Sequence, residues 1–372
     1  MSQPTVHRPR GFLIVLGFGE VSRLPAPNYS MSLAPYLHRV VGLESLSPED
    51  AHAAMSVVLS GAASTPQLTA FLVALRMKGE TAGEILGFTR AMREFSTRVR
   101  PQIEGEALVD TCGMGGDGAG TFNISTIAAF VAAGAGVRVA KHGSRSVSSK
   151  CGSADVLEQL GVKLASDARV AARAIEEIGI GFLFAPAFQP AMRHAQAARM
   201  ELRMRTVFNM LGPLTNPAGA TAQVVGAAST VAAELMAQAL AELGLERGFV
   251  VHGSDGLDEI TLCGETLVYD ICNGRVFRRV VRPEDFGLSP AAREHMLGGG
   301  PEENAAIARE VLDGARGPRR DVVLMNAAAA IVVAGTAGDL AEGAELAAES
   351  IDSGRARDRL QALATFSTAA SS

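Results

Sequence analysis

The chain lacks the features that would place it in several classes. No apolar run approaches the roughly 20 residues needed to cross a bilayer, which excludes a membrane-spanning helix. The four cysteines, Cys112, Cys151, Cys263 and Cys272, show neither C-x-x-C nor zinc-site spacing. A disulfide framework and a thiolate metal site are therefore excluded, and free thiols in a reducing cytoplasm are expected. There is no basic excess: 34 Lys and Arg stand against 39 Asp and Glu, for a net charge of -5. That argues against nucleic acid as the main partner. Trp is absent, and no internal repeat or low-complexity segment is seen. The remaining composition, 48% hydrophobic and 20% charged over 372 residues, is that of an ordinary globular enzyme of one large domain or two.

Residues 1–30 stand apart. Arg8 and Arg10 precede a short apolar run, Gly11–Gly17, in superficial likeness to a signal peptide. The run is short, and no small-residue cleavage site follows it cleanly. Met31 reads as the natural start, and residues 1–30 as a poorly ordered, dispensable extension. From Met31 the signals are helical. Ser47-Pro48 is an N-cap followed by proline at the first helical position, Thr65-Pro66 repeats it, and Thr81 with Glu84 forms a capping box.

After a hinge at Pro101–Glu106 the grammar changes. Short apolar runs (Ala107–Asp110, Val137–Ala140, Gly181–Phe184, Gln223–Gly226, Phe249–His252) alternate with helical runs (Ile127–Ala135, Ala154–Gly161, Pro190–Leu202, Val231–Leu243). This alternation predicts a mainly parallel sheet with covering helices. Ile260–Leu262, Leu267–Ile271 and Arg275–Val281 read as antiparallel strands, with Asn273-Gly274 as a hairpin turn. The expected fold class is α/β. A small all-helical domain (31–105 plus about 188–210) packs on a larger α/β domain (106–187 and 211–372). The active site is expected in the cleft between them.

Three stretches carry chemistry. Gly113–Thr126 reads GMGGDGAGTFNIST, between a strand and a helix start. Such a turn points backbone N–H groups at an anion, and the helix dipole adds to the attraction. Gly113, Gly115 and Gly118 satisfy G-x-G-x-x-G, but the next strand ends in basic Lys141-His142-Gly143 rather than in the acid that a dinucleotide site needs. The second stretch, KHGSRSVSSKCGSADVL, holds three permanent cations and five serines, as a second phosphate site requires. In the third, Asp258 and Glu259 follow a strand-like run, with Asp255 nearby and no soft ligands. Hard oxygens favour magnesium over zinc. Two anion sites and a carboxylate pair suit a magnesium-bound, highly phosphorylated substrate.

Together with PAMRHAQAARMELRMRTVFNMLGPLTNP, VVHGSDGLDEI, PEDFGL and PEENAAI, these motifs resemble the anthranilate phosphoribosyltransferases of tryptophan biosynthesis. The resemblance runs from about Met31 to Phe366. It implies the nucleoside phosphorylase/phosphoribosyltransferase type of fold, a cytoplasmic homodimer formed through the helical domain, and two Mg2+ ions per site. The implied reaction joins 5-phosphoribosyl 1-diphosphate to anthranilate, giving N-(5-phosphoribosyl)anthranilate and diphosphate. The alternative is a related phosphoribosyltransferase or pyrimidine nucleoside phosphorylase with another acceptor. Carried over by position, Gly113, Gly116, Asp117, Thr121, Asn123, Ile124, Ser125 and Thr126 would hold the diphosphate and ribose. Lys141, His142, Gly143, Ser144, Arg145, Ser146, Val147, Ser148, Ser149 and Ser153 would hold the rest of the donor. Gly113, Ser144 and Arg199 would meet anthranilate, while Ser125, Asp258 and Glu259 would serve the metal. No nucleophile–base pair is needed, because the acceptor is a neutral aryl amine and the leaving group is already good. His142 is the one titratable candidate near the acceptor, as a catalytic group or as a wall of the pocket. Two positions depart from the family pattern, both on the acceptor side: Ser144 stands where asparagine is usual, and Gln189 where histidine is usual.

Overall fold

The computed structural model describes residues 32–146 and 150–370. The expectation for residues 1–30 lies outside them.

Four helices open the described chain: α1 (Ala34–Val41), α2 (Pro48–Leu59), α3 (Thr65–Lys78) and α4 (Ala82–Glu94). Their starts are fixed locally. Ser47 accepts from Asp50 N as the α2 cap, and Thr81 and Glu84 close a reciprocal box on α4. One start differs from expectation. The α3 cap is Ser64, boxed with Gln67, so Thr65 and Pro66 are the first two helical residues. The Ser64 hydroxyl reaches the N3 amide, and proline is tolerated where no amide bond is lost.

The α/β part runs β1 (Leu108–Gly113), α5 (Ile124–Gly134), β2 (Arg138–Gly143), α6 (Ser153–Gln159), α7 (Ala168–Ile178) and β3 (Ile180–Phe184). A helical excursion follows, of α8 (Ala185–Phe188), α9 (Arg193–Leu202) and α10 (Val207–Leu214). The chain then returns through β4 (Ala222–Gly226), α11 (Thr230–Glu242), β5 (Arg247–Gly253), β6 (Thr266–Cys272) and β7 (Arg275–Val281). It closes with α12 (Pro301–Leu312), α13 (Pro318–Val333), α14 (Leu340–Asp352) and α15 (Arg355–Ala369).

Among the described residues seven strands form one sheet, in the order β3-β2-β1-β4-β5-β6-β7. The first five are parallel, and β6 and β7 are antiparallel. The expected strand at Ile260–Leu262 does not form. That segment is held by side chains instead, as described below. Asn273 and Gly274 both have positive φ, the geometry of a two-residue hairpin turn. The strand order reverses between β1 and β4, and the carboxyl ends of strands beside such a reversal open a crevice for ligands.

Alternation along each strand divides the core. Phe249 and Val251 of β5 face α5, α13 and α14, while Val250 faces the opposite side. On that side α11 and α10 continue into the helical unit, so Val225, Val250 and Ile271 share one apolar cluster with Phe71, Phe88 and Leu211. The helical unit is thus packed into the second face of the sheet rather than hung from a linker. Gln102 N also donates to Glu176 Oε1 at 2.6 Å, tying the linker to α7.

Helices α2 and α4 cross closely because Gly87 has no side chain: a Cβ there would lie 2.1 Å from the Pro48 carbonyl oxygen. At Gly83 the nearest atom to such a Cβ would be Pro48 Cγ, at 3.5 Å. Gly87→Ala is expected to destabilise the protein by about 1–3 kcal/mol through overpacking, and Gly83→Ala to stay within about 1 kcal/mol of wild type. Denaturant unfolding of the two variants checks this, and equal midpoints would contradict the close crossing.

Candidate active site

The site is built where β1 and β4 end. Gly113 and Gly226 are register partners at those ends. A Cβ on Gly226 would stand 1.6 Å from the Asp258 carbonyl oxygen, and one on Gly113 would stand 2.5 Å from Asp258 Oδ2. Only glycine at both positions admits the segment that carries Asp258 and Glu259.

That segment is fixed from behind. Buried Asn326 of α13 accepts from Ile260 N at 3.0 Å and donates to the Ile260 carbonyl at 2.9 Å. These bonds occupy the backbone that a strand would have used. Asp255 accepts from Thr261 Oγ1 at 2.9 Å, so it closes the loop rather than joining the carboxylate pair.

From the front, the glycine-rich loop closes onto the pair. Gly115 N donates to Asp258 Oδ2 at 2.7 Å, and Ser125 N, in the first turn of α5, donates to Glu259 Oε1 at 3.1 Å. Asp117 turns the loop by accepting from Ala119 N at 3.0 Å, and its second oxygen faces Asp258 N at 3.5 Å. Gly116 sits in the left-handed region with its neighbours Gly115, Gly118 and Gly120, so the loop coils tightly enough to turn amides inward. Thr121 bridges to Leu297. Ile124 and Thr126 are buried, so they offer the site backbone rather than side chain.

The second loop begins at the end of β2. Lys141 is 3% exposed, and its ammonium lies inside the fold, donating to the Thr111 carbonyl and to Ser125 Oγ at 3.4 Å. It therefore underlies the first loop instead of reaching out to solvent. His142 is also buried. Its amide donates to Asp110 Oδ1 at 3.0 Å, its imidazole bonds the Gly212 backbone, and its Nε2 has no partner among the described residues. Beyond it, Gly143 leaves room for Ser153, whose hydroxyl donates to the Ser144 carbonyl at 3.3 Å. Ser144 Oγ donates to the Arg145 carbonyl. Arg145 is engaged by Asp155 at 3.0 Å and by Glu158, and Ser146 N donates to Asp155 Oδ2 at 3.0 Å. Val147, Ser148 and Ser149 lie outside the described residues.

Arg199 of α9 rests over the Phe208 ring, 5.4 Å from its centroid. Among the described residues its guanidinium meets no carboxylate. Phe208 and Gly212 are one turn apart on α10, so Arg199 and His142 approach the same stripe of one helix. Gln189 does not share that stripe. It is buried and donates to the Thr215 carbonyl at 3.1 Å.

The electrostatics follow from burial. Desolvation raises the Asp258 pKa to about 7, helped by the charge of Asp117, and raises Glu259 to about 8, helped by Asp258. Desolvation also lowers the Lys141 pKa, against the pull of Asp110, and lowers that of His142, leaving the imidazole neutral at pH 7. Sequence reasoning missed Asp110, Asn326 and Asn304, whose only signal was membership of a strand, a helix and the PEENAAI motif.

Comparison with known proteins names the arrangement. The helical bundle domain of a glycosyl transferase family matches residues 34–96, and the a/b domain of that family matches residues 105–357. The anthranilate phosphoribosyltransferase of Solibacter usitatus is 60% identical over 336 residues, covering 90% of this chain and 99% of its own. The chain belongs to the anthranilate phosphoribosyltransferase family. Among solved anthranilate phosphoribosyltransferases, that of Thermus thermophilus superposes with a TM-score of 0.84 at 46% identity, covering 89% of this chain and 99% of its own. The Saccharomyces cerevisiae enzyme, in complex with PRPP and Mg, gives 0.82 at 31% identity, covering 91% and 98%.

The carboxylate pair makes a testable contribution to stability. Unfolded, Asp and Glu titrate near 3.9 and 4.3. Folded and metal-free, Asp258 and Glu259 keep their protons to about 7 and about 8. The folded state then holds more protons than the unfolded one, and stability falls as pH rises through that window. His142 acts oppositely, because its lowered pKa removes stability only as pH falls below about 6.5. Between pH 6.5 and 8 in chelator, the melting temperature of the Asp258→Asn, Glu259→Gln double variant should fall less steeply than that of wild type. Parallel slopes would contradict it.

Proposed function

We infer that the chain transfers the 5-phosphoribosyl group of 5-phosphoribosyl 1-diphosphate to anthranilate, releasing diphosphate and forming N-(5-phosphoribosyl)anthranilate. The observation that carries this reading is the Asp258–Glu259 pair, held at the β1/β4 reversal by amides of a glycine-rich loop. Beside it counts Arg199 of α9, whose guanidinium lies over Phe208 with no carboxylate of its own among the described residues.

The donor half suits a diphosphate. The positive end of the α5 dipole is what the first turn offers it, the amides of Ile124, Ser125 and Thr126 being bonded to Phe122, Glu259 and Asn123. Gly113, Gly116, Asp117, Thr121 and the 123–126 turn are the groups assigned to it, with the loop from Lys141 to Ser149 and Ser153 on the remaining phosphate. Lys141, being buried, adds positive potential through Ser125 rather than by contact.

Magnesium fits the donor set. Both carboxylates are hard oxygens whose burial raises their pKa, and a divalent cation removes the cost of ionising them. Among the described residues no group of three His, Cys, Asp or Glu is placed to hold a metal by itself. This agrees with a metal that takes one or two carboxylates and completes its shell with substrate phosphate. Two ions per site, with Ser125 as a further ligand, are part of the reading. When bound, magnesium neutralises the departing diphosphate. What the chain itself supplies is position and charge: among the described residues no nucleophile–base pair stands at the site, and a neutral His142 suits the role of a wall of the acceptor pocket.

For the acceptor, Arg199 supplies the charge for a carboxylate, and the Phe208 face holds the guanidinium in one plane. Gly113 and Ser144 are the other groups assigned to the acceptor. A homodimer through the helical unit is supported by apolar side chains exposed on or beside α1, α3 and α9, among them Leu43, Met77 and Met200. A cytoplasmic location is supported by four free cysteines, and among the described residues no helix is long and apolar enough to cross a membrane.

Arg199→Ala should raise the KM for anthranilate about 10- to 100-fold, the worth of a hydrogen bond to a charged group, with the KM for the phosphoribosyl donor within twofold. Equal effects on both would make Arg199 structural. Ser144→Asn, which adds a carbonyl and an amide, should lower the anthranilate KM by about 2- to 10-fold. Asp258→Ala with Glu259→Ala should cut magnesium-dependent turnover by roughly 100-fold or more while leaving the circular dichroism unchanged. Near wild-type turnover at limiting magnesium would refute the metal assignment.

A further inference from the structure

The motif PEENAAI opens α12, and Asn304 within it is 2% exposed and bonded to the loops of the site. Gly299 N donates to Asn304 Oδ1 at 2.8 Å, and Asn304 Nδ2 donates to Asn123 Oδ1 at 2.9 Å. Asn123 Nδ2 then donates to the Cys151 carbonyl at 3.3 Å. The chain of bonds therefore crosses three loops. It starts in the 297–300 segment, passes the N-cap of α5 and ends on the second basic loop.

Its direction is not free. A backbone N–H can only donate and a carbonyl can only accept. With Gly299 N at one end and Cys151 O at the other, both amides between must face as they do, and bonds in such a relay strengthen one another. Asn123 is consequently spent on this bridge and makes no side-chain cap to its own helix. The 297–300 segment is clasped to the back of the glycine-rich loop as well. Gly298 N donates to the Gly120 carbonyl at 2.9 Å, and Phe122 N donates to the Met296 carbonyl at 3.2 Å. A Cβ on Gly298 would lie 2.5 Å from Asn304 Oδ1.

We propose that Asn304 is a positioning residue for the phosphoribosyl donor: through Asn123 it sets the spacing between the α5 N-terminus and the second phosphate loop. The proposal rests on the function inferred above. It gives the motif a role that needs no contact with substrate. Asn304→Asp is the sharpest probe, because a carboxylate still accepts from Gly299 N but cannot donate to Asn123 Oδ1. Asn123 must then flip, setting its oxygen against the Cys151 carbonyl, and the two loops part.

The test is calorimetric binding of 5-phosphoribosyl 1-diphosphate in magnesium buffer, alongside steady-state kinetics. Asn304→Asp should weaken donor binding and raise the donor KM about tenfold, with the anthranilate KM within twofold. In an Asn123→Ala background the same substitution should change donor binding less than twofold. Asn304→Ala, which brings no charge, should show about a threefold loss by the same pattern and serves if the Asp variant does not fold. An unchanged donor constant, equal shifts in both KM values, or the same loss in the Asn123→Ala background overturns the proposal. Failure of wild type itself to bind the donor overturns the function reading and this inference together, which separates the two failures.

Discussion

The site depends on one steric concession. Two register-paired glycines, Gly113 and Gly226, end adjacent strands at the point where the sheet reverses order; the Asp258 backbone passes where a side chain of Gly226 would be, and the Asp258 carboxylate where one of Gly113 would be. Everything at the donor site is measured from that passage. The carboxylates come close enough to β1 for Gly115 N and Ser125 N to reach them, and those bonds shape the glycine-rich loop. Burying two acids has a cost, visible in their raised pKa values. The ammonium of Lys141 offsets part of it from below, which explains why a lysine that reads as a phosphate ligand is 3% exposed.

The acceptor side depends on packing instead. One apolar cluster joins the helical unit, α10, α11 and the second sheet face. Helix α10 is held in it at both ends: Phe208 and Leu211 enter the core, while Gln223 reaches across from β4 to the Pro213 carbonyl at 3.0 Å. The same Gln223 faces Asp110, which holds the His142 amide. Arg199 and His142 thus take their places from a single rigid helix. Rigid support of this kind is what catalysis by positioning requires.

Local chemistry was readable in the sequence, and long-range chemistry was not. Capping boxes at Thr81 and the turn at Asn273-Gly274 are complete within four residues, so their signals are self-contained. The glycine-rich and basic loops announced themselves by composition. The Ile260–Leu262 run has a strand's apolar pattern, but its backbone is taken by Asn326, 66 residues away, and no local signal reports that. Helix α10 carries a weaker signal because Pro213 sits inside it, whereas α7, absent from the sequence reading, is locally complete, with an Asp167 cap, an apolar stripe and Gly179 at its end. Asn304 looked like an ordinary residue of a helix start, and its meaning comes from Asn123, 181 positions earlier.

The same distinction separates the two positions that depart from the family pattern. Gln189 stands where histidine is usual, but its amide is turned inward to the Thr215 carbonyl, between the end of α8 and the end of α10. A side chain with one N–H to give can serve that purpose, so this exchange is absorbed by the frame. Ser144 is different. Its hydroxyl goes to the Arg145 carbonyl and its own carbonyl accepts from Ser153 Oγ and Ala154 N, so the residue is used up in turning the loop. Its hydroxyl proton is spent there, so toward an aryl amine it keeps only an acceptor oxygen. In the reading proposed above, the carboxylate end of the acceptor then falls to the Arg199 charge, which the Phe208 face supports, and a serine that accepts but does not donate leaves more of the orienting to that charge than an asparagine would.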